Sequence, residues 1–263
     1  MAPSASSEDL FRRPGARELI IKGLRVMRLN RPAARIYYRF FHRFDSADRD
    51  LPKVIDKCLR AANDSGLADE GDYFEFGVFK GYAFWCAYKV ATELGIERMR
   101  FFGFDSFEGL PEVRGVDDID NAPFYPGQFS WPLNRVKNEL EKRNVDWNRT
   151  FLVKGYFDST LTEETRSRFK MSKASVVLMD CDLYESTSIA LEFLADMMMD
   201  GTILIMDDWY AFNGDPSRGE PLALSEFAER HPHWVAEPWF SYGLYGRTFV
   251  MRRREQSDVS DGY

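Results

Sequence analysis

Short apolar runs that alternate with helical patterns constrain the fold of this chain more than any other feature. Each run is a few residues long and is followed closely by a glycine or an aspartate; the runs cover residues 73–78, 100–105, 151–153, 175–180 and 202–207. Helical patterns at 54–63, 83–94 and 185–199 separate several of them. Strands that are apolar on both faces and alternate with helices are typical of a parallel sheet covered on both sides. We therefore predict a doubly wound α/β domain.

Two further strand patterns lie near the C-terminus, at residues 234–240 and 245–251. They are joined through residues 241–243, a connection short enough for a hairpin. Hairpin strands are antiparallel, so the predicted sheet is mostly parallel with an antiparallel C-terminal edge hairpin. The predicted domain covers residues 51–252, and a polar C-terminal tail follows at 253–263.

The first 50 residues differ in charge from the rest of the chain. Residues 1–50 carry 11 Lys and Arg against 6 Asp and Glu, although the whole chain of 263 residues has a formal net charge of −7. Arg alternates there with apolar residues, and Pro14 and Pro32 interrupt the pattern, which predicts a basic helical extension of two short helices. We expect it to cover the main domain or a second copy in a homo-oligomer; a membrane-surface or partner helix is the alternative. The acidic remainder argues against nucleic acid as a partner.

Other bulk features exclude several protein classes. No stretch reaches the roughly 18 apolar residues of a membrane-spanning helix; the best candidate, residues 188–206, contains three acidic side chains. The N-terminus lacks the basic and apolar regions of a secretory signal. The three cysteines are far apart and form no CxxC pair, which argues against a disulfide framework and a structural zinc site. We therefore expect a cytoplasmic protein without membrane insertion.

Glycines and one aspartate mark the edge of the sheet where a ligand is expected. Ligands of doubly wound sheets bind outside the carboxyl ends of the strands. The first strand leads into Gly77 and Gly81, which allow a close approach of backbone to ligand, although a tight strand-to-helix turn would also explain them. Asp105 ends the second strand, where an acidic side chain can accept hydrogen bonds from ribose hydroxyls or simply form a turn. The pattern favours a nucleoside-containing ligand.

Acidic pairs follow the fourth and fifth predicted strands. Asp180 and Asp182 follow the fourth, and Asp207 and Asp208 follow the fifth. Neighbouring parallel strands would bring Asp180, Asp207 and Asp208 together, and clustered carboxylates repel one another unless a cation neutralises them. Carboxylate oxygens are ligands that suit Mg²⁺, Mn²⁺ or Ca²⁺. A set of helix caps and loop acids is the alternative, but the position at the ligand edge favours a metal site.

Three segments of the chain resemble one enzyme family. DYFEFGVFKG, FFGFDSFEGLPE, and VVLMDCDLYEST followed by DGTILIMDDW are similar to the macrocin O-methyltransferase (TylF/MycF) family. The resemblance runs from about Asp72 to about Phe227 and does not include the first 50 residues. It implies the Rossmann-like sheet of class I S-adenosylmethionine-dependent methyltransferases. It also implies O-methylation, dependent on Mg²⁺ or alternatively Mn²⁺, of a sugar-like or polyol hydroxyl on a small-molecule natural product.

The resemblance also implies roles for individual residues. Asp180, Asp207 and Asp208 would hold the metal, and Asp105 would bind the cofactor ribose. Ser106 and Phe107 would flank the adenine. The other implied cofactor-binding residues lie in two turns after strands: Glu75, Phe76, Gly77 and Gly81 after the first, and Gly155, Phe157 and Asp158 after the third. Asp158 would be a partner for the exocyclic amine of the adenine.

Methylation of a hydroxyl group requires removal of the hydroxyl proton. An aliphatic hydroxyl is a poor nucleophile at neutral pH, and a bound divalent cation lowers its pKa. Asp180 or Asp182 would then act as the general base. Two other functions stay open: N-methylation or phenol O-methylation by the same fold, and a non-catalytic cofactor-binding partner subunit.

Two long segments without periodicity lie next to this edge. Residues 112–131 contain several aromatic side chains and form either a lid over the substrate or a solvated acidic insertion; both interpretations stay open. Residues 210–220 directly follow the fifth-strand acids, so we expect them to form a wall of the pocket.

Overall fold

One seven-stranded sheet organises the computed structural model, which describes Phe44 and residues 50–119 and 122–254. The strands are β1 (Asp72–Phe76), β2 (Phe101–Asp105), β3 (Thr150–Lys154), β4 (Ala174–Met179), β5 (Met198–Met206), β6 (Trp234–Tyr242) and β7 (Gly246–Arg253). Their order across the sheet is β3-β2-β1-β4-β5-β7-β6. β7 is antiparallel to both β5 and β6, whereas β1 to β5 pair in parallel. The predicted α/β sheet with its antiparallel hairpin is confirmed.

Helices cover both faces of this sheet. Those in the described ranges are α1 (Leu51–Asp64), α2 (Leu67–Glu70), α3 (Tyr82–Glu93), α4 (Leu133–Glu141), α5 (Phe157–Thr160), α6 (Glu163–Phe169), α7 (Tyr184–Leu194) and α8 (Gly219–Arg230). Side chains of the strands alternate between two apolar cores, because successive residues of a strand point to opposite faces. Tyr73 joins α1 and α3 in one core, and Phe74 and Phe76 join α7 and α8 in the other.

A row of stacked phenylalanines holds the first three strands in register. The ring centroids of Phe74 and Phe102 are 5.2 Å apart, and those of Phe102 and Phe151 are 5.1 Å apart. Phe76 stacks on Phe104 at 5.2 Å in the same way. Each pair joins residues that are direct neighbours in the parallel ladder. This packing fixes the positions at which β1 and β2 end.

One helix and one strand have boundaries that differ from the prediction. The helical pattern at 185–199 overestimates α7, which ends at Leu194, and β5 begins at Met198 instead of residue 202. Ala174 pairs with Met198, and the backbone N–H of Ala174 donates to the carbonyl of Met197 at 2.8 Å. The methionines therefore extend the sheet although their helix propensity is high, because tertiary pairing overrides local preference. Helices α4 and α8 were not predicted.

The strand order reverses between β1 and β4. The chain runs outward from β1 to β2 and β3, and then returns to β4 on the other side of β1. Ligands of such sheets bind at this switch point. The carboxyl ends of β1, β2, β4 and β5 meet there.

None of the helices in the described residues is long and apolar enough to cross a membrane. The predicted N-terminal helices and most of the predicted tail lie outside the described residues.

Candidate functional site

The turn after β1 is pressed against the end of β4. Gly77 has a φ of 92°, and a Cβ built on it would lie 1.7 Å from the carbonyl oxygen of Asp180. The N–H of Asp180 donates to the carbonyl of Phe76 at 2.9 Å. Gly81, at the N-terminus of α3, has a φ of 85°. Positive φ favours glycine, so both predicted glycines are required by the backbone itself.

Asp105 holds the turn after β1 in place. Its Oδ2 accepts hydrogen bonds from the N–H groups of Val78 and Phe79, both at 2.8 Å, and its Oδ1 accepts from the N–H of Phe107 at 2.5 Å. Burial raises the pKa of this carboxyl group, while the three hydrogen bonds act in the opposite direction. The side chain of Ser106 also acts on Asp105 and lowers its pKa. Asp105 therefore has a structural role in holding this turn, and its contact with the cofactor ribose stays a prediction.

Glu75 is fully buried beside this turn. Its Oε2 accepts a hydrogen bond from the hydroxyl of Tyr73 at 2.7 Å, whereas its Oε1 has no hydrogen-bond partner among the described residues. Burial is the main cause that raises the pKa of Glu75, and the charges of Asp105 and Asp207 add to it. An orphaned carboxylate oxygen in the interior is costly. It is the kind of atom that a donor group of a ligand would satisfy.

Asp180, Asp207 and Asp208 come together as the sequence predicted. One carboxylate oxygen of each lies within 4.8 Å of those of the other two. Burial, followed by the charges of Asp207 and Asp208, raises the pKa of Asp180 well above its usual range. All three offer oxygen, the ligand type that hard divalent cations such as Mg²⁺ prefer. The residues present therefore fit such an ion.

Two residues that the sequence analysis missed contact these acids. The hydroxyl of Tyr242, at the end of β6, donates to Oδ1 of Asp207 at 2.8 Å. Oε2 of Glu220, in the first turn of α8, accepts from the N–H of Asp208 at 3.1 Å, and its Oε1 has no partner among the described residues. No local pattern distinguishes either residue, because each reaches the site from an element distant in sequence.

Asp182 lies beside the three acids but is not part of the close group. It is 5% exposed and has a φ of 67°, an uncommon conformation for a residue other than glycine. Burial is the largest cause that raises its pKa, followed by the charges of Asp208 and Asp180. Asp182 thus belongs to one continuous patch of carboxylates on this edge of the sheet.

Several predicted cofactor-binding side chains are occupied within the protein. Phe76 is fully buried against Phe104, and the ring of Phe157 packs edge-on against it at 5.8 Å. Phe107 is buried in the core that contains α1 and α3. The hydroxyl of Ser106 donates to the carbonyl of Gly109 at 2.8 Å and accepts from the N–H of Glu108. Any ligand contact of Phe76 is therefore restricted to its backbone.

The turn after β3 also reaches the site. Gly155 has a φ of 145°, and its N–H donates to the carbonyl of Asp105 at 3.0 Å. A Cβ there would lie 2.5 Å from Cγ2 of Thr160. Asp158, in α5, is exposed. Gly155 and Asp105 are thus adjacent, whereas Asp158 stands at the surface.

The segment 112–131 is anchored to the site. Asp117 is buried; its Oδ2 accepts from the N–H of Tyr184 at 2.6 Å and its Oδ1 from the N–H of Gly219 at 2.9 Å. These are the first residues of α7 and α8, so one carboxylate caps two helices. Phe124 packs with Leu183 and Phe212 in a small apolar cluster. Asp117 and Phe124 thus form a packed wall beside the starts of α7 and α8, whereas residues 114–116 and 118–119 are exposed.

The sequence and the structure match known proteins over most of the described domain. The family model described as Macrocin-O-methyltransferase (TylF) matches residues 50–230. A curated relative from Streptomyces olivaceus, 8-demethyl-8-(2,3-dimethoxy-alpha-L-rhamnosyl)-tetracenomycin-C 4'-O-methyltransferase, is 32% identical over 149 residues. That match covers 54% of this chain and 55% of the relative, so it spans about half the length of each.

Solved structures share the fold. The O-methyltransferase NovP superposes with a TM-score of 0.66 at 20% identity, covering 90% of this chain and 98% of its own. The calicheamicin methyltransferase CalS11 superposes with a TM-score of 0.63 at 22% identity, covering 95% and 99%. At these identities the likeness concerns the fold, and the fold agrees with the predicted methyltransferase sheet.

Proposed function

Since this chain belongs to the macrocin O-methyltransferase family, we propose that it transfers a methyl group from S-adenosylmethionine to a hydroxyl group of a glycosylated small molecule, with Mg²⁺ as the metal. The observation that carries the proposal is the group of Asp180, Asp207 and Asp208 at the switch point of the sheet. A nucleoside-binding turn lies directly beside it. The cofactor and the metal-bound acceptor would therefore meet at one edge of the sheet.

The cofactor half of the site consists of the turns after β1, β2 and β3. Gly77 and Gly81 keep the backbone of the first turn open, and Asp105 holds that turn through hydrogen bonds from the N–H groups of Val78 and Phe79. The orphaned Oε1 of Glu75 is available to a donor group of the cofactor. When bound, S-adenosylmethionine would supply a methyl group on a sulfonium sulfur; the methyl group would pass to the acceptor oxygen, and S-adenosylhomocysteine would leave.

The metal half consists of the acids after β4 and β5. Asp180, Asp207 and Asp208 would hold Mg²⁺, with Mn²⁺ as the alternative ion. A divalent cation lowers the pKa of a hydroxyl group and fixes its direction. Burial and the mutual repulsion of these carboxylates raise the pKa of Asp180 and Asp182, so a bound cation would stabilise their ionised forms.

The acceptor proton leaves through a carboxylate of the same patch. Asp180 is more exposed than Asp182, and we assign the general base to Asp180 first and to Asp182 second. Asp117 ties segment 112–131 to the first residues of α7 and α8, so this segment would lie beside the acceptor and limit the access of bulk water.

The acceptor is proposed from the relatives. The name of the curated relative describes methylation of a 4′-hydroxyl in a compound with an α-L-rhamnosyl group. We propose the same class for this chain, a hydroxyl of a deoxyhexose attached to a natural product. Neighbouring hydroxyls of such a sugar offer two oxygens to one cation, which suits a metal site with open positions.

Calorimetric titration tests the two halves separately. S-adenosylmethionine and S-adenosylhomocysteine are titrated with and without Mg²⁺ into the wild type, Asp105→Ala and Asp180→Ala. We expect cofactor binding to be lost in Asp105→Ala, and the Mg²⁺ response to be lost in Asp180→Ala while cofactor binding persists. Cofactor binding without any Mg²⁺ response in the wild type would refute the metal, and no binding of either ligand would refute the whole proposal.

Methyl transfer to acceptors tests the chemistry. The wild type is incubated with S-adenosylmethionine, Mg²⁺ and three acceptors: a rhamnosylated polyketide, a catechol and a primary amine. We expect methylation of the sugar and none after EDTA treatment. Methylation of the catechol or the amine alone would overturn the acceptor class.

A further inference from the structure

Tyr242, at the end of β6, contacts one of the three acids through its hydroxyl group. Its ring is 2% exposed, and its hydroxyl donates to Oδ1 of Asp207 at 2.8 Å. Asp207 directly follows β5, whereas Tyr242 ends β6, and β7 lies between these strands. The side chain therefore reaches across a whole strand.

Gly246 makes that reach possible. It begins β7 and is the direct cross-strand partner of Tyr242. A Cβ built on Gly246 would lie 2.1 Å from Cζ of Tyr242 and 2.4 Å from Cε2. Any other residue would push the ring away. The missing side chain at Gly246 thus creates the space in which the tyrosine ring lies flat across β7.

The hydrogen bond orients the carboxylate of Asp207. Oδ1 accepts from the tyrosine hydroxyl, which holds the carboxylate in one position beside Asp180 and Asp208. Glu220 and Asp180 are also close enough to act on Tyr242 electrostatically. When ionised, these carboxylates cannot donate a hydrogen bond to Asp207. A neutral phenol donor stabilises the ionised form of Asp207 without adding a competing positive charge.

We propose that Tyr242 is a positioning residue for the metal ligand Asp207, held in place by Gly246; this inference rests on the proposed metal site. Partners that orient metal ligands from behind typically change metal affinity by about 10- to 100-fold when they are removed. The hydroxyl of Tyr242 bonds to the metal group, while its ring packs in the core that also contains Val78 and Phe107. Loss of the hydroxyl alone should therefore weaken metal binding and leave cofactor binding unchanged.

Mn²⁺ affinity is the direct test. Free Mn²⁺ is measured by electron paramagnetic resonance during titration of the protein with saturating S-adenosylhomocysteine. We expect Tyr242→Phe, which removes only the hydroxyl, to raise the Kd for Mn²⁺ about tenfold while the Kd for S-adenosylhomocysteine stays within twofold. Saturating Mn²⁺ should restore kcat, because the defect is in metal affinity.

Tyr88→Phe is the matched control. Tyr88 is also a buried tyrosine, and its hydroxyl accepts from the N–H of Asp146 at 3.0 Å, far from the acids in the fold. This variant loses a buried hydrogen bond as Tyr242→Phe does, and should bind Mn²⁺ like the wild type. Equal weakening in both variants would overturn the inference.

Gly246→Ala tests whether Gly246 holds the ring of Tyr242 in place. It keeps the hydroxyl but displaces the ring, so the Kd for Mn²⁺ should rise as in Tyr242→Phe. The double variant should be no weaker than the worse single variant, because both changes remove one interaction. Additive effects would overturn the role of Gly246.

The outcomes separate this inference from the function on which it rests. If the wild type and Asp207→Ala both fail to bind Mn²⁺, the proposed metal site is wrong and the inference falls with it. If the wild type binds Mn²⁺, Asp207→Ala does not, and Tyr242→Phe binds as tightly as the wild type, only the inference is wrong.

Discussion

The α-carbon of Gly77 and the carbonyl oxygen of Asp180 are so close that a Cβ on Gly77 would lie 1.7 Å from that oxygen. Gly77 begins the predicted cofactor turn, and Asp180 belongs to the predicted metal group. The two halves of the site therefore share a backbone contact. A displacement of one half necessarily moves the other.

Gly77→Ala should disrupt both halves at once. The new Cβ overlaps backbone, which cannot rotate away, and the residue must also keep a φ of 92°. We expect a loss of unfolding free energy of about 3 kcal/mol, from left-handed strain of roughly 1–2 kcal/mol plus steric displacement of roughly 1–3 kcal/mol. Urea unfolding and cofactor titration measure the two effects.

Gly95→Ala is the control for this variant. Gly95 has a φ of 72°, and a Cβ there meets no atom within 4 Å. Backbone strain alone should lower the free energy of unfolding of this variant by about 1 kcal/mol, and cofactor binding should be unchanged. Equal losses in the two variants would show that the contact with Asp180 has no effect.

Asp117→Ala should loosen the wall beside the acids. One carboxylate caps both α7 and α8, and each lost cap costs about 0.5–2 kcal/mol. We expect a decrease of about 2–3 kcal/mol in unfolding free energy, and a smaller one for Asp117→Asn, which keeps one acceptor oxygen. Thr162→Ala, which removes the single cap of α6, should cost about 1 kcal/mol. A wild-type-like Asp117→Ala would favour a mobile lid over a packed wall.

Asp158→Ala should separate ligand contact from structure. Asp158 is exposed and makes no side-chain hydrogen bond with the described residues. Its loss should therefore change the free energy of unfolding by less than about 0.5 kcal/mol. Asp105→Ala removes three hydrogen bonds to backbone and should lower stability as well as cofactor affinity. A cofactor Kd unchanged in Asp158→Ala would exclude the predicted contact with the adenine amine.

The metal-free protein should become less stable as the pH rises. Burial raises the pKa of Glu75, Asp180 and Glu220 well above their ordinary values. A carboxyl group with a higher pKa in the folded state binds more protons there than in the unfolded chain, so it contributes stability at low pH that is lost as the pH rises. We expect thermal melts in EDTA to show Tm falling between about pH 5 and pH 8, starting just above the ordinary carboxyl range.

Mg²⁺ should reverse this trend. It binds the ionised acids, so the increase in Tm on adding Mg²⁺ should be larger at pH 8 than at pH 5.5. In Asp207→Asn, the effect of Mg²⁺ should be small at both values. An increase in Tm that does not depend on pH would contradict binding at these carboxylates.

Side chains that lie at the ends of strands were predictable from the sequence. The apolar runs predict the parallel sheet, in which β4 and β5 are neighbours whose carboxyl ends lie at one edge. Asp180, Asp207 and Asp208 are therefore expected at one point, and their carboxylates lie together in the structure. The glycines after β1 were expected for the same reason.

Side chains whose partners come from distant segments were not predictable. Phe157 is predicted to contact the cofactor, and the structure adds that its ring packs on Phe76. Asp105 likewise holds the neighbouring turn, in addition to its predicted role at the ligand edge. Helix α8, which carries Glu220, has no clear periodicity in the sequence.

The sequence by itself determined which acids stand at the edge of the sheet. Strand periodicity shows where each strand ends, and consecutive strands such as β4 and β5 are expected to be neighbours. Only the tertiary structure decided what orients and surrounds them. Tyr242 reaches Asp207 across β7, and Asp117 joins the starts of α7 and α8, contacts that span 35 to 102 residues of chain. Such contacts depend on how whole elements pack, and no local pattern of residues encodes that packing.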